Sequence, residues 1–142
     1  MARACLAFPR VSHRFSPSSS NRASFLERNR YQGAVDIALK AFPITNARLA
    51  VTPSSQSSNP FPYPGTTPSS SVNGIVWRVE NGSTAELHAY DATNLATELY
   101  YFNRAANSRD QFVGAKFFTP IVANGRVYVG TPNSVVLFGL MP

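Results

Sequence analysis

The chain has 142 residues, of which 44% are hydrophobic and 12% aromatic, and this is enough apolar material for one packed domain. Its formal net charge of +6 lies almost wholly in the first thirty residues, where six arginines stand against one glutamate. Those arginines are scattered among serines and prolines, which argues against nucleic-acid binding, and no apolar run approaches the ~18 residues of a membrane-spanning helix.

Residues 1–30 are predicted to form a basic, irregular arm, either disordered or unrelated to the rest of the chain. Pro9 and Arg10 interrupt the apolar stretch near its start, so no clear secretory signal is visible. The single cysteine, Cys5, lies in this arm and has no partner for an internal disulfide. The arm is also a poor candidate for a β-strand.

From residue 31 onward, short apolar runs separated by Gly, Pro, Asn and Ser predict an all-β fold. Apolar strands that end in an aromatic residue begin at Leu39, Leu87 and Val135, so both intervals are 48 residues. One complete four-stranded unit is predicted, with strands at about 67–72, 75–80, 85–90 and 97–102. A repeat of this length is typical of a β-propeller blade.

The predicted turns recur with the strands. Asn-Gly at 73–74 and 124–125 predicts type I′ hairpins, because both residues tolerate positive φ. Asp91 is expected to accept a hydrogen bond from the backbone ahead of it, and Asn94 to adopt the left-handed conformation. A β-sandwich is the alternative fold, but it has no reason to repeat its turn chemistry at a fixed interval.

These motifs resemble a known family. Thr-Pro followed by Asn-Gly-Arg-Val-Tyr-Val-Gly-Thr within 119–131, and Leu-His-Ala-Tyr-Asp-Ala-Thr-Asn at 87–94, resemble the pyrroloquinoline-quinone-like (PQQ-like) β-propeller repeat. More narrowly, residues 31–142 are similar to the C-terminal blades of bacterial proteins of this family. The resemblance implies an exported protein, periplasmic or extracellular.

The predicted pieces amount to about two and a half four-stranded antiparallel blades. Three strands fall in 31–51, a complete blade in 67–102 and three strands in 119–140. A closed propeller needs about four to eight blades, so 31–142 is expected to be a partial propeller. We expect the last blade to lack its fourth strand and Val135–Phe138 to present an uncovered apolar surface. An independently folded domain is the alternative.

Two loops are candidates for binding. In the loop after the complete blade, five polar residues could hold an anionic or sugar-like ligand, although Arg–Asp pairs could equally serve only to pin the loop: Arg104, Asn107, Arg109, Asp110 and Lys116. A second loop is predicted from Pro53 to Pro68. Its Phe61 and Tyr63 either dock a partner or cover the space between blades.

Two side chains with chemical potential are predicted to be structural. Trp77 aligns with Tyr31 and Tyr128, which predicts a core aromatic. His88 lies in a strand, facing away from its two apolar neighbours, and is expected to be a lone strand histidine. We predict no catalytic, cofactor-binding or metal-binding set of residues.

The sequence therefore predicts a non-catalytic part of a PQQ-like propeller, at most a structural or binding module whose partners are remaining blades, a protein or a glycan. The alternative is the remnant of a quinoprotein dehydrogenase acting on an alcohol or a sugar. The resemblance implies PQQ stacked on a tryptophan, calcium bound by Glu, Asn and Asp, and commonly a disulfide between adjacent cysteines. With one cysteine and one tryptophan, this chain is not expected to hold PQQ or calcium.

Overall fold

The computed structural model describes residues 29–34, 36–61, 74–81, 84–101, 110–114 and 119–139, together with the backbone of 5–7 and 70–72. In these ranges the chain is all-β, as predicted, and no helix is long and apolar enough to cross a membrane. Twelve strands are described: β1 (Cys5–Ala7), β2 (Asn29–Gln32), β3 (Ile37–Thr45), β4 (Arg48–Leu49), β5 (Ser55–Phe61), β6 (Ser70–Val72), β7 (Ile75–Glu80), β8 (Glu86–Asp91), β9 (Asn94–Tyr101), β10 (Ile121–Ala123), β11 (Arg126–Gly130) and β12 (Val135–Gly139).

The strands form three sheets, none of which closes on itself. In the first sheet β3 pairs with β2 and β5, and its end pairs with β4. The middle sheet runs β6-β7-β8-β9, with each strand antiparallel to the next. The third sheet has the order β1-β12-β11-β10. The predicted strand 75–80 coincides with β7, and β8 and β9 begin within three residues of their predicted starts.

Strand pairing keeps the same register in all three sheets. The repeated strands begin at Leu39, Leu87 and Val135, and in each the third residue lies opposite an aromatic residue of the preceding strand. The pairs are Tyr31 with Ala41, Trp77 with Ala89, and Tyr128 with Leu137. The three partner positions are 48 residues apart. Residues aligned at intervals of 48 in the sequence therefore have equivalent cross-strand partners in the three sheets.

Two apolar clusters hold the sheets together, one on each face of the middle sheet. The cluster against the first sheet contains Leu39, Ala41, Phe61, Val76, Tyr90, Ala92 and Leu95. The cluster against the third sheet contains Trp77, Val79, Ala85, Leu87, Ala89, Tyr100, Phe112, Val127, Val129 and Phe138. The prediction that Trp77 is a core aromatic is confirmed. The middle sheet is thus buried on both faces.

The third sheet is covered on one face. Phe138 packs inward against the middle sheet, while Val135 and Ile121 face the other way and are each 64% exposed. The cross-strand pairs Ile121–Tyr128 and Tyr128–Leu137 place these side chains on the same outer face. The expected uncovered apolar surface is therefore right for Val135 and wrong for Phe138, because alternate residues of a strand point to opposite faces.

The third sheet also has a fourth strand, which the sequence did not predict. Cys5 lies opposite Leu137 in a parallel pairing, so part of the arm predicted to be irregular forms β1. Without β1 the edge of β12 would leave backbone N–H and C=O groups unpaired, and such an edge accepts an extended segment that reaches it. The prediction that the last blade lacks a fourth strand is wrong for this sheet.

The prediction of a loop from Pro53 to Pro68 is also wrong for Ser55–Phe61, which form β5. This strand pairs with β3, with a register shift between Ala38 and Lys40. The Ser57 hydroxyl accepts a hydrogen bond from the Leu39 backbone N–H at 2.9 Å and donates one to the Asn59 carbonyl at 2.9 Å. Serine thus supplies a backbone partner at the irregular point, in a stretch without the alternating pattern of a typical strand.

Two of the predicted turns, at 124–125 and after Asp91, are confirmed, whereas Asn73 of the predicted turn at 73–74 lies outside the described residues. Asn124 and Gly125 have φ of 50° and 69°, as a type I′ turn requires. Asp91 Oδ1 accepts hydrogen bonds from the Thr93 backbone N–H at 2.7 Å and the Thr93 hydroxyl at 2.6 Å. The prediction for Asn94 is wrong, since its backbone is not left-handed and its Oδ1 accepts a bond from the Ala96 N–H instead.

Candidate functional site

The candidate site lies on the face of the middle sheet that packs against the first sheet. Because β7 and β8 form an antiparallel hairpin, three cross-strand pairs share this face: Val76–Tyr90, Arg78–His88 and Glu80–Glu86. Glu98 of β9 joins them opposite Tyr90, next to a bulge in the pairing of β8 with β9. We call Glu80, Glu86, His88 and Glu98 the His88 cluster.

His88 is surrounded by the three carboxylates. Its Nδ1 lies 2.7 Å from Glu98 Oε1, while its Nε2 lies 3.5 Å from Glu80 Oε2 and 3.9 Å from Glu86 Oε2. The Nε2 atom is buried and has no hydrogen bond within the described part of the chain. Since Nδ1 is at hydrogen-bonding distance from a carboxylate, we assign the proton of the neutral ring to Nδ1, which leaves a lone pair on Nε2.

The electrostatics of the cluster follow from this crowding. Burial by itself lowers the pKa of His88, but the nearby carboxylates of Glu80 and Glu98 outweigh it, so the pKa is raised overall. Burial raises the pKa of Glu86, the charge of His88 opposes this, and the charges of Glu80 and Glu98 add to it. The cluster therefore favours the protonated forms of His88 and Glu86.

Arg78 lies beside the cluster and is only 1% exposed. Its guanidinium stacks 3.5 Å from the centroid of the Phe61 ring, and its Nε and Nη1 have no hydrogen bond to any described residue. Gly33 gives the guanidinium room, since a Cβ there would lie 2.9 Å from Arg78 Cζ. Burial lowers the pKa of Arg78 to about 10, so the side chain stays charged at neutral pH.

Aromatic rings fix the position of the imidazole. Phe61 meets His88 edge-on, with ring centroids 5.3 Å apart, and the His88 ring is nearly parallel to the Tyr90 ring, with centroids 6.2 Å apart. Burial strongly raises the pKa of Tyr90, which keeps its phenol neutral. Of the two alternatives given for Phe61, the structure supports the second: the ring is buried between the first and middle sheets.

The binding loop expected from the sequence is described at one residue. Asp110 is buried, and its Oδ2 accepts a hydrogen bond of 2.7 Å from the Tyr100 hydroxyl, next to the cluster against the third sheet. The other four predicted residues, Arg104, Asn107, Arg109 and Lys116, lie outside the described residues, as does Tyr63. Whether the five residues lie together therefore stays a prediction.

The His88 cluster was missed at the level of sequence, although two signals were present. Glu86 and His88 are two residues apart in one strand, so they share a face. A hairpin centred between Glu80 and Glu86 then places a third polar side chain on that face. The oxygen and nitrogen atoms that Glu80, Glu86 and His88 offer as ligands all lie within 4.8 Å of one another.

Comparisons with known proteins do not add to this picture. The chain matches no protein-family model, no curated protein and no solved structure.

Proposed function

We propose that the chain is part of a PQQ-like β-propeller and acts as a non-catalytic structural and binding module. The observation that carries this proposal is that the third sheet is apolar on both faces. Val127 and Phe138 pack inward, and Ile121, Val135 and Leu137 face outward. Antiparallel sheets with one solvated face normally alternate apolar with polar residues, so two apolar faces favour stacking on both sides.

The aromatic residue that ends each repeated strand supports the same proposal. Tyr90 and Phe138 are buried against the sheet that precedes theirs in the chain. Phe42 holds the equivalent position in the first sheet and is half-buried on its outer face. The outer faces of the first and third sheets are therefore the surfaces that receive further blades, and blade-on-blade stacking is the binding mode.

The alternative, a remnant of a quinoprotein dehydrogenase, draws no support from the described residues. A quinone needs an exposed aromatic face to stack on, whereas Trp77 packs between the middle and third sheets. Adding PQQ to the purified chain is accordingly expected to leave its tryptophan fluorescence and its melting temperature unchanged. A saturable response would favour the dehydrogenase alternative.

The stacking surface can be tested with light scattering on the purified chain. We expect the native chain to self-associate, and a double variant, Ile121→Lys with Val135→Lys, to be monomeric, because lysine keeps the outer face of the third sheet hydrated. The matched control is Val51→Lys, which adds a charge at an exposed apolar residue outside this face. A native chain that is a cooperatively folded monomer at every concentration would contradict the proposal.

A further inference from the structure

We propose that Glu80, Glu86 and His88 form a binding site for a divalent transition-metal cation of the zinc type. This site does not depend on the propeller assignment. His88 is 8% exposed, and its buried Nε2 makes no hydrogen bond to any described residue while it lies 3.5 and 3.9 Å from the carboxylate oxygens of Glu80 and Glu86. A buried polar atom without a hydrogen bond bears its desolvation penalty, and a metal ion bound at Nε2 would satisfy it.

The charges of the face point to a dication. Glu80 and Glu86 lie directly opposite each other, and like charges in that position destabilise a sheet. With His88 neutral, as a metal ligand must be, the three carboxylates and the Arg78 guanidinium leave two negative charges in excess. One divalent cation balances this excess, whereas one proton on the imidazole leaves half of it.

Glu98 holds the imidazole in the orientation that a metal needs. Its carboxylate lies 2.7 Å from His88 Nδ1, on the side of the ring away from Glu80 and Glu86. A carboxylate that accepts a hydrogen bond from the Nδ1–H fixes the tautomer and makes Nε2 a better electron-pair donor to a metal. Glu98 is thus a positioning residue, and the ligands are the other three.

The donor set selects the class of metal. An imidazole nitrogen with two carboxylate oxygens suits zinc and its neighbours, while calcium and magnesium prefer oxygen donors alone. Zinc bonds of about 2.0–2.2 Å place tetrahedral ligands about 3.3–3.6 Å apart, close to the 3.5 and 3.9 Å measured from His88 Nε2. Glu86 is partly exposed, so its side chain can move the remaining distance and opens the site to solvent.

The test is a zinc titration of the full chain after treatment with a chelator, read by calorimetry and by competition with a zinc-binding dye. We expect one equivalent to bind and to raise the melting temperature, with no competition from magnesium or calcium. Glu86→Gln and His88→Gln should each abolish binding. Glu98→Gln should weaken it about 10- to 100-fold, the usual effect of removing a carboxylate that orients a ligand.

The controls separate this site from other zinc-binding side chains. Cys5→Ser and His13→Gln remove the other residues that bind zinc most readily, and both variants should bind as the native chain does. Glu86→Gln replaces a partly exposed side chain by an isostere, so we expect this variant to fold. It therefore tests metal binding at this site even where His88→Gln fails to fold. Native-like zinc binding by Glu86→Gln, loss of binding in either control variant, or no binding by the native chain would overturn the proposal.

Discussion

The two faces of the middle sheet are formed by the same strands but are built in different ways. Toward the third sheet, Val79 and Leu87 belong to an apolar cluster, and the buried carboxylate of Asp110 is hydrogen-bonded to Tyr100 at its edge. Toward the first sheet, Arg78, Glu80 and His88 bring charge and buried polar atoms onto the same face as an apolar cluster. Apolar burial therefore dominates one face, whereas the other carries several charged groups that burial penalises.

The physical balance differs accordingly. Full burial of a large apolar side chain stabilises a fold by about 1.5–3 kcal/mol, so the apolar face needs no other explanation. A buried charge is costly unless it is paired, and replacing buried ion pairs by apolar residues is often neutral or stabilising. The face of the middle sheet with Arg78, Glu80 and His88, which we call the charged face, therefore contributes less to stability than its burial suggests. This is consistent with a role in binding.

The largest expected effect concerns the apolar face. Leu87 is 0% exposed in the cluster against the third sheet, so Leu87→Ala removes buried methyl groups and leaves a cavity. We expect the free energy of unfolding to fall by about 2–5 kcal/mol. Urea unfolding, followed by the fluorescence of Trp77 in the same cluster, measures it.

The matched substitution is Val135→Ala, on the outer face of the third sheet. This residue starts the third copy of the repeated strand, as Leu87 starts the second, yet it is 64% exposed. Its truncation should change the free energy of unfolding by no more than about 0.5 kcal/mol. An equal loss of unfolding free energy for Leu87→Ala and Val135→Ala would contradict the conclusion that the middle sheet is covered on both faces and the third sheet on one.

The next effect concerns the packing of the charged face. A Cβ at Gly33 would overlap the guanidinium of Arg78, which is confined against Phe61. We expect Gly33→Ala to lower the free energy of unfolding by about 1–3 kcal/mol. In an Arg78→Met background the same change should cost much less, because the guanidinium is gone. A double-mutant cycle in urea measures the coupling, and additive effects would show that the two residues do not constrain each other.

The sequence predicted those parts of the fold that depend on local signals. Strands β7, β8 and β11 follow from alternating or apolar runs, and the hairpin at 124–125 follows from residues that tolerate positive φ. Strand β5 could not be found this way, because the hydrogen bond from the Leu39 backbone N–H to the Ser57 hydroxyl joins residues 18 positions apart. Its sequence of Ser, Asn and Pro carries no strand pattern of its own.

The turns show that the strand register determines the backbone conformation of the residues in them. Thr-Asn occurs at 45–46 and again at 93–94, at the same place in the repeat. In the first sheet Asn46 and Ala47 form the turn, with φ of 50° and 59°. In the middle sheet Asp91 pairs with Asn94, so the turn falls two positions earlier in the repeat and Asn94 begins a strand. Identical residues therefore adopt different conformations because the strand pairing differs.

The His88 cluster was beyond the sequence for the same reason. Its four members come from three strands, and the pairing of Glu80 with Glu86 depends on the register of the hairpin. The approach of Glu98 also depends on the bulge between β8 and β9. The alternation places Glu86 and His88 on one face, but the approach of Glu80 and Glu98 was not predictable from the sequence.

The smallest effect is the sharpest test of the charged face, because two similar substitutions should have opposite signs. In chelator-treated protein, Glu86→Gln relieves the repulsion from Glu80 directly opposite, and we expect a gain in the free energy of unfolding of about 0.2–1 kcal/mol. Glu98→Gln weakens the 2.7 Å contact with His88 Nδ1, which is charge-assisted, and should cost about 1 kcal/mol. Urea unfolding at neutral pH compares the two variants with the native chain. With zinc present the order changes for a defined reason: Glu86→Gln loses a metal ligand and should become the less stable of the two. If Glu86→Gln destabilises the metal-free protein as much as Glu98→Gln does, the carboxylates are not in excess, and the charged face is balanced without a cation.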